Sequence, residues 1–351
     1  MGERLGVIES LTQQGITPIS PDQGTATLQS IVAQPRAPSS LMVASRFKSL
    51  PDLPFERAEP PLARFLERTQ LFVPGVELIA DAKLSHASDP YLQDHVFERT
   101  PLLPAVMGME AMAQAAATLS GGSGPLVWRD VAFEHPIIVS RTESATIRTY
   151  ALMDPDGSVR VAIRSEEDGF QRNHFRARVR FDAARELAPV PNLPGNAPPL
   201  IDLYGSVLFQ SGRFQRLLGY SHLTRTSCRS RLRGAAKDAG RWFGAYYPPL
   251  LLLGDPGVRD AAIHSIQGCI PDRTLVPQRV DEIRMFSLLE GPEGFVQKID
   301  AQAIERSSCC STFVYDLDLV DSEGRILEQW RGLTLHAVAS KIAEPVAAIA
   351  H

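Results

Sequence analysis

Apolar and polar positions along the chain fall into two similar blocks. In the first, residues 105–117 read AVMGMEAMAQAAA, apolar on almost every side. A helix at a protein surface keeps a polar face. This pattern instead predicts a helix over about 105–119 that is buried nearly all round, ended by SGGSGP. Segments that alternate every second residue surround it: GVELIADAKLS before the helix, then LVWRDVAFEHPIIV, SATIRTYALM, VRVAIRSEE and NHFRARVRF. The last places Phe175, Ala177, Val179 and Phe181 on one strand face, and His174, Arg176, Arg178 and Arg180 on the other. DPDG between two alternating runs predicts a hairpin.

The second block repeats the first. Strands in YSHLTRTSCRSRLRG precede a buried helix near 257–270, GVRDAAIHSIQGCI. Then come DEIRMFSLLE, GFVQKIDAQAIERS, CSTFVYDLDLV, the turn DSEG and RILEQWRGLTLHAV. In each block about 77 residues run from the helix start to the end of the final strand. This reads as an internal duplication of α+β units, each a long helix wrapped by an antiparallel sheet. The units span 71–183 and 201–340, with a tail at 341–351. Residues 184–200 carry five prolines and read as a semi-rigid linker. Residues 1–50 read helix, loop, helix, strand, with Ser20 and Asp22 offering helix-start chemistry. The proline-rich stretch 51–70 links this zone to the first unit.

Composition narrows the function classes. A chain of 351 residues with 44% hydrophobic and 22% charged residues is an ordinary globular one. A net charge of −4 gives no electrostatic reason to expect nucleic acid or an anionic membrane. No apolar run approaches the ~20 residues of a membrane span, and the N-terminus lacks a signal-peptide pattern. The four cysteines, Cys228, Cys269, Cys309 and Cys310, have no CxxC spacing. A disulfide framework or zinc site is not expected, and a cytoplasmic setting fits.

No GxGxxG, Walker A, GxSxG or HExxH pattern occurs. One position in each block carries candidate chemistry. His95 sits in polar LQDHVFERT, just upstream of the buried helix. It reads either as a satisfied or exposed histidine or as a general base. Pro104 suits the first turn of a helix, and the next N–H groups, at Ala105 and Val106, are unpaired and can receive a carbonyl oxygen. A histidine beside them could take a proton α to that carbonyl while the helix end stabilises the enolate. In GDPGVRDAAIHSIQ, Asp255 can cap, Pro256 is the first helical residue and Asp260 falls one turn on. His264 lies four residues further on the same face, and Gln267 a turn beyond. Asp260 reads either as half of a surface Asp–His pair or as a buried general acid with a raised pKa; Ala261, Ala262, Ile263 and Ile266 favour burial. His135 and His174 read as structural. LYGSVLFQSGRFQ, with Tyr204, Gly205, Gly212 and Phe214, lines a slot or packs a strand.

The segment from His95 to Pro104 resembles the HxxxGxxxxP motif of polyketide synthase dehydratase domains. Pro256, Asp260 and His264 match the spacing of their second motif. The resemblance spans about residues 60–340. It implies a double hotdog fold and removal of water from a β-hydroxyacyl chain held as a thioester on the phosphopantetheine of an acyl carrier protein. It also implies His95 as base and Asp260 as acid, with His264, Gln267 and Tyr204 in support. Pro104, Ala105, Val106, Gly212 and Phe214 would surround the substrate. No metal or redox cofactor is implied. The wording DHVF…PLLPAVMGMEAMAQAA is most similar to dehydratases of iterative enediyne and polyunsaturated-fatty-acid synthases.

Residues 1–50 resemble the C-terminal end of a ketoreductase domain. The chain then reads as a piece of a larger multienzyme. Its expected partners are an acyl carrier protein, the ketoreductase and other synthase domains, with a homodimer left open. Nucleic acid and membrane are not expected partners. Arg99 stands where the motif has glycine, and Ala105 where glycine commonly follows the proline; Arg99 is expected to narrow the entrance. Rival readings on the same scaffold are an enoyl isomerase, a thioesterase, a product-template cyclase, and a silent structural or dimerisation module.

Overall fold

The computed structural model describes residues 19–33, 59–182, 186–196, 204–205, 207–234, 242–247, 251–286, 290–291, 294–295 and 298–340. The chain forms two compact units, Met1–Arg57 and Ala58–His351. In the first, helix α1 (Pro21–Val32) begins at Ser20. The Ser20 hydroxyl accepts from the Gln23 N–H, and the Gln23 side chain accepts from the Ser20 N–H. This reciprocal box satisfies donors that a helix start leaves open. The other helix and the strand expected in this zone lie outside the described residues.

The first half of the second unit holds β1 (Arg68–Val73), β2 (Glu77–Leu84), β3 (Val96–Phe97), β4 (Thr100–Pro101) and helix α2 (Ala105–Ser120). β5 (Leu126–Phe133), β6 (Ala145–Met153), β7 (Val159–Ser165) and β8 (Phe175–Phe181) complete it. The second half has β9 (Leu217–Leu223), β10 (Ser227–Arg233), helix α3 (Pro256–Ser265), β11 (Arg273–Met285), and the small pair β12 (Glu290–Gly291) and β13 (Gly294–Phe295). β14 (Lys298–Cys309), β15 (Thr312–Asp321) and β16 (Ile326–Ser340) follow.

Among the described residues twelve strands join in one sheet, in the order β1-β2-β6-β7-β8-β5-β11-β16-β15-β14-β10-β9. The duplication is written in that order: β2-β6-β7-β8-β5 recurs as β10-β14-β15-β16-β11. The halves meet where β5 pairs with β11, with Trp128 opposite Ile283 and Val131 opposite Val280. Each half wraps one helix, which is the double hotdog arrangement. The DPDG and DSEG turns close β6–β7 and β15–β16, with Gly157 and Gly324 at φ +81° as such turns require.

The linker at 184–200 is more than a spacer. Among its described residues, the Leu187 N–H donates to Gln329 (2.7 Å) and the Val190 N–H to Asp318 (2.7 Å), both on the second half's sheet. Asn196 exchanges hydrogen bonds with Leu223 (3.1 and 2.9 Å). The segment is a strap whose backbone borrows partners from side chains, a pattern that proline content does not reveal.

Helix α2 is buried nearly all round, as its composition predicts. Gly108 lets it approach β8: a Cβ there would stand 2.2 Å from Phe175 Cδ2. Glu110, on the same helix, is buried and reaches the other half. Its carboxylate accepts from the Leu252 and Leu253 N–H groups (2.7 and 2.9 Å) and from Gln114 (2.9 Å). Arg259, buried on α3, donates to the Leu253 carbonyl (2.6 Å) and pairs with Glu328 (2.6 Å). Together these bonds clasp the segment that launches α3. Replacing Glu110 by Ala leaves two buried N–H groups without acceptors, each worth about 1–3 kcal/mol. We predict that Glu110→Ala lowers unfolding free energy by about 2–4 kcal/mol in urea titration.

Between β3 and β4 the chain turns in two residues, Glu98 and Arg99, at φ +45° and +70°. Two positive φ values define the turn that matches strand twist, and glycine or asparagine normally fills it. Arg99 therefore adopts the conformation that the motif glycine would adopt. Its side chain is exposed rather than buried among the residues of the site. The strain is local. Arg99→Gly is predicted to raise the melting temperature, by up to about 1 kcal/mol of stability.

Candidate active site

His95 is held from three sides. Upstream, a short 3-10 turn (Pro90–Gln93) is anchored by the buried Arg64–Asp89 ion pair. The adjoining Asp94 is clasped to the second half. Its carbonyl accepts from the Ser211 N–H (2.9 Å) and its carboxylate pairs with Arg213. Gly212 makes this approach possible, because a Cβ there would lie 2.4 Å from Asp94 Oδ1. Downstream, the β3–β4 hairpin returns the chain so that the Leu102 N–H donates to the His95 carbonyl (3.1 Å).

His95 Nδ1 lies 3.2 Å from the Leu102 carbonyl oxygen. A carbonyl only accepts, so Nδ1 carries the proton and Nε2 keeps its lone pair. Nε2 faces Asp260 Oδ1 at 3.9 Å, across 165 residues of sequence. Asp260 sits one turn into α3, which starts as its sequence predicts. Asp255 caps it, accepting from the Gly257 and Val258 N–H groups (2.8 and 3.4 Å), and Pro256 occupies the first position. His264 Nε2 is 3.6 Å from Asp260 Oδ1, within reach but longer than a hydrogen bond.

Aromatic rings wall this group. Phe209 and Phe214 meet the His95 ring edge-on, with centroids at 5.0 and 5.4 Å. Phe209 also touches Phe97 (5.3 Å) and His264 (5.7 Å), and Phe214 packs on Trp242 (5.3 Å). His95 and Asp260 are 7% and 3% exposed. Loss of water disfavours the charged form of each. Burial pushes His95 down to about 4 and Asp260 up to about 8. Burial, with the neighbouring His95, lowers His264 to about 3. At neutral pH the pair is therefore an uncharged imidazole beside a protonated carboxyl. The two have opposite tasks available, base and acid.

Other residues singled out in the sequence divide. Pro104 is the N-cap residue of α2 rather than its first helical residue, so Ala105 and Val106 supply the open N–H groups, with no side chain capping them. Tyr204 accepts from the Leu217 N–H (2.8 Å), and its hydroxyl is raised to about 12 by burial and by nearby Asp260. Gln267, expected in support, has its amide bonded away from Asp260. After Ser265 the helix tightens to a 3-10 turn, and Gln267, on that turn, spends its side chain on the chain that follows it. Its amide instead donates to the Ile270 and Arg273 carbonyls and accepts from the Leu275 N–H (2.8 Å). His135 and His174 lie in another part of the first half: His174 Nδ1 is bonded to the Pro136 carbonyl (3.0 Å) and its ring meets His135 (5.9 Å). Sequence reasoning missed Phe209 and Gln210, both within LYGSVLFQSGRFQ, and Trp242.

His95, Asp260 and His264 offer donor atoms within 4.8 Å of one another. Two imidazoles and a carboxylate are a plausible metal set. The 3.6 and 3.9 Å spacings are wider than the ~3.4 Å that tetrahedral zinc bonds of ~2.1 Å imply, so the side chains would have to close in on an ion.

Comparison with known proteins now bears on this geometry. No curated protein sequence matches the chain. Its fold is similar to the dehydratase domain from the CurF module of curacin polyketide synthase, at 17% identity over 78% of this chain and 99% of that chain, TM-score 0.61. It is also similar to GphF dehydratase 1 (17% identity, 79% and 100% covered, TM-score 0.61). A third similar structure is the dehydratase domain from the CurK module of curacin polyketide synthase (15% identity, 79% and 99% covered, TM-score 0.62). The model of the polyketide synthase dehydratase domain matches residues 67–166, and that of the polyketide synthase dehydratase N-terminal domain matches residues 182–345. Between them these matches take in most of the duplicated sheet, both long helices and the segments that carry His95 and Asp260, and the chain belongs to the polyketide synthase dehydratase family.

Proposed function

We propose that His95 and Asp260 carry out the dehydration of a β-hydroxyacyl thioester within a polyketide synthase. The observation that supports this most is their meeting at 3.9 Å with pKa values displaced in opposite directions. His95 Nε2 takes the proton from Cα. The C–H electron pair forms the Cα–Cβ double bond, and the Cβ–O bond breaks toward oxygen, which takes the Asp260 proton and leaves as water. The N–H groups of Ala105 and Val106 receive the thioester oxygen while negative charge builds on it. His95 then holds one proton more and Asp260 one fewer. Their proximity lets the departing water carry the proton back.

The acyl chain reaches the site on the phosphopantetheine of an acyl carrier protein, and no metal or redox cofactor takes part. The motif wording supports an enediyne or polyunsaturated-fatty-acid type of synthase. The resemblance of residues 1–50 to a ketoreductase end supports a ketoreductase as the preceding domain, with 51–70 as linker, all in the cytoplasm. His264 helps to set the Asp260 orientation from its neighbouring turn.

The reading is tested by incubating the chain with β-hydroxyacyl thioesters of several lengths and weighing the products for loss of water. His95→Ala and Asp260→Asn should each lower turnover by about 10²–10⁴-fold while leaving the melting temperature near that of the parent. His264→Gln should keep much of the activity, because an amide can also hydrogen-bond the carboxyl.

The pH profile follows from the same shifts. Activity needs His95 without its second proton and Asp260 with its proton. kcat/KM should be flat through neutrality. It should fall as pH rises through about 8, when Asp260 ionises, and as pH drops through about 4, when His95 becomes charged. Steady-state rates across that range check it; a profile rising through pH 8 contradicts the acid role.

A further inference from the structure

Three polar atoms at one point of the site make no hydrogen bond among the described residues. They are Asp260 Oδ2 and both amide atoms of Gln210, Oε1 and Nε2. Gln210 is 3% exposed and leads into the 3-10 turn Gly212–Phe214. Its backbone carbonyl accepts from the Gln215 amide (3.5 Å), while its side-chain amide has no partner in hydrogen-bond geometry. A buried amide left unpaired costs about 1–3 kcal/mol, and folded interiors seldom carry one. The Gln210 amide stands near enough to the Asp260 carboxyl to oppose, in the manner of a hydrogen-bond donor, the burial-driven rise of its pKa, yet the two are not in hydrogen-bond geometry. The adjacent Phe209 packs edge-on against His95 and His264, so the chain segment that brings Gln210 also brings an apolar wall to the site.

A group that fits between an amide and a protonated carboxyl is a hydroxyl, with one donor and two lone pairs. Resting on the reading of His95 and Asp260 as base and acid, we propose that Gln210 binds the β-hydroxyl of the substrate. The hydroxyl O–H donates to Gln210 Oε1, and its oxygen accepts from the Asp260 O–H. When the Cβ–O bond breaks, the oxygen keeps that electron pair, takes the Asp260 proton and remains held by Gln210 as water. The amide thus selects a chain that bears a β-hydroxyl over the same chain without it. A site built to bond a hydroxyl penalises its absence, because buried polar groups are then left open.

Gln210→Met in the full chain tests this. Methionine has similar length and flexibility and no hydrogen-bonding amide. The probes are 3-hydroxyhexanoyl-pantetheine as substrate and hexanoyl-pantetheine, which lacks the hydroxyl, as competitive inhibitor. The expected result is a fall in kcat/KM of about tenfold or more, an unchanged inhibition constant for hexanoyl-pantetheine, and a melting temperature equal to or above the parent's. A residue with a merely structural role would move all three together. The inference is overturned if kcat/KM stays within twofold, if the inhibition constant rises in step with the loss, or if the variant melts lower or does not fold. His95→Ala assayed alongside separates the two levels: undiminished turnover there removes the base assignment, while the split between substrate and inhibitor in Gln210→Met still decides the role of Gln210.

Discussion

Two ionisable side chains stand 3.9 Å apart, out of water, and do not become an ion pair. That is the constraint on which the rest of the structure turns. In water a carboxyl and an imidazole at neutral pH would be anion and partial cation. Burial removes the imidazole's remaining charge and reverses the carboxyl's preference. A neutral imidazole and a neutral carboxyl then stand in one place, the protonation states that the proposed base and acid require.

Keeping the pair dry takes the whole duplicated sheet. Each half contributes one helix and one member of the pair, and neither half alone encloses both. The β5–β11 pairing sets the two halves in register, and Glu110 and Asp94 clasp them at separate points. Phe209, Phe214 and Trp242 then exclude solvent from the remaining side. These contacts are fold and function at once: loosening a clasp would admit water and let the pKa values relax toward their ordinary range.

Much of this can be read from the chain itself. Period-two runs around a helix occur twice and specify the duplicated α+β architecture; the first helix, apolar on almost every side, must be wrapped, and the second repeats its place in the order of elements. Asp255, Pro256 and Asp260 follow from local rules for helix starts, and local rules hold where the backbone is regular. They fail where it is not. Helical spacing puts Gln267 on the Asp260 side, but its amide is taken up by the Ile270 and Arg273 carbonyls and the Leu275 N–H of the irregular chain that follows. The strap at 186–196 is held by side chains from distant strands, so proline counting describes its stiffness and misses its anchorage. Gln210 has no helical spacing to Asp260, since it enters the site from another segment. Only three-dimensional juxtaposition exposes its unpaired amide.

The central claim is that His95 is a neutral base and Asp260 a protonated acid in the resting enzyme. Nitrogen-15 NMR of histidine-labelled protein at pH 7, with the His95 signal assigned by its loss in His95→Ala, tests this without any turnover. The account predicts one protonated nitrogen, Nδ1, and one bare nitrogen, Nε2, unchanged down to about pH 5. Two protonated nitrogens at neutral pH would mean an imidazolium–carboxylate pair, and would contradict it.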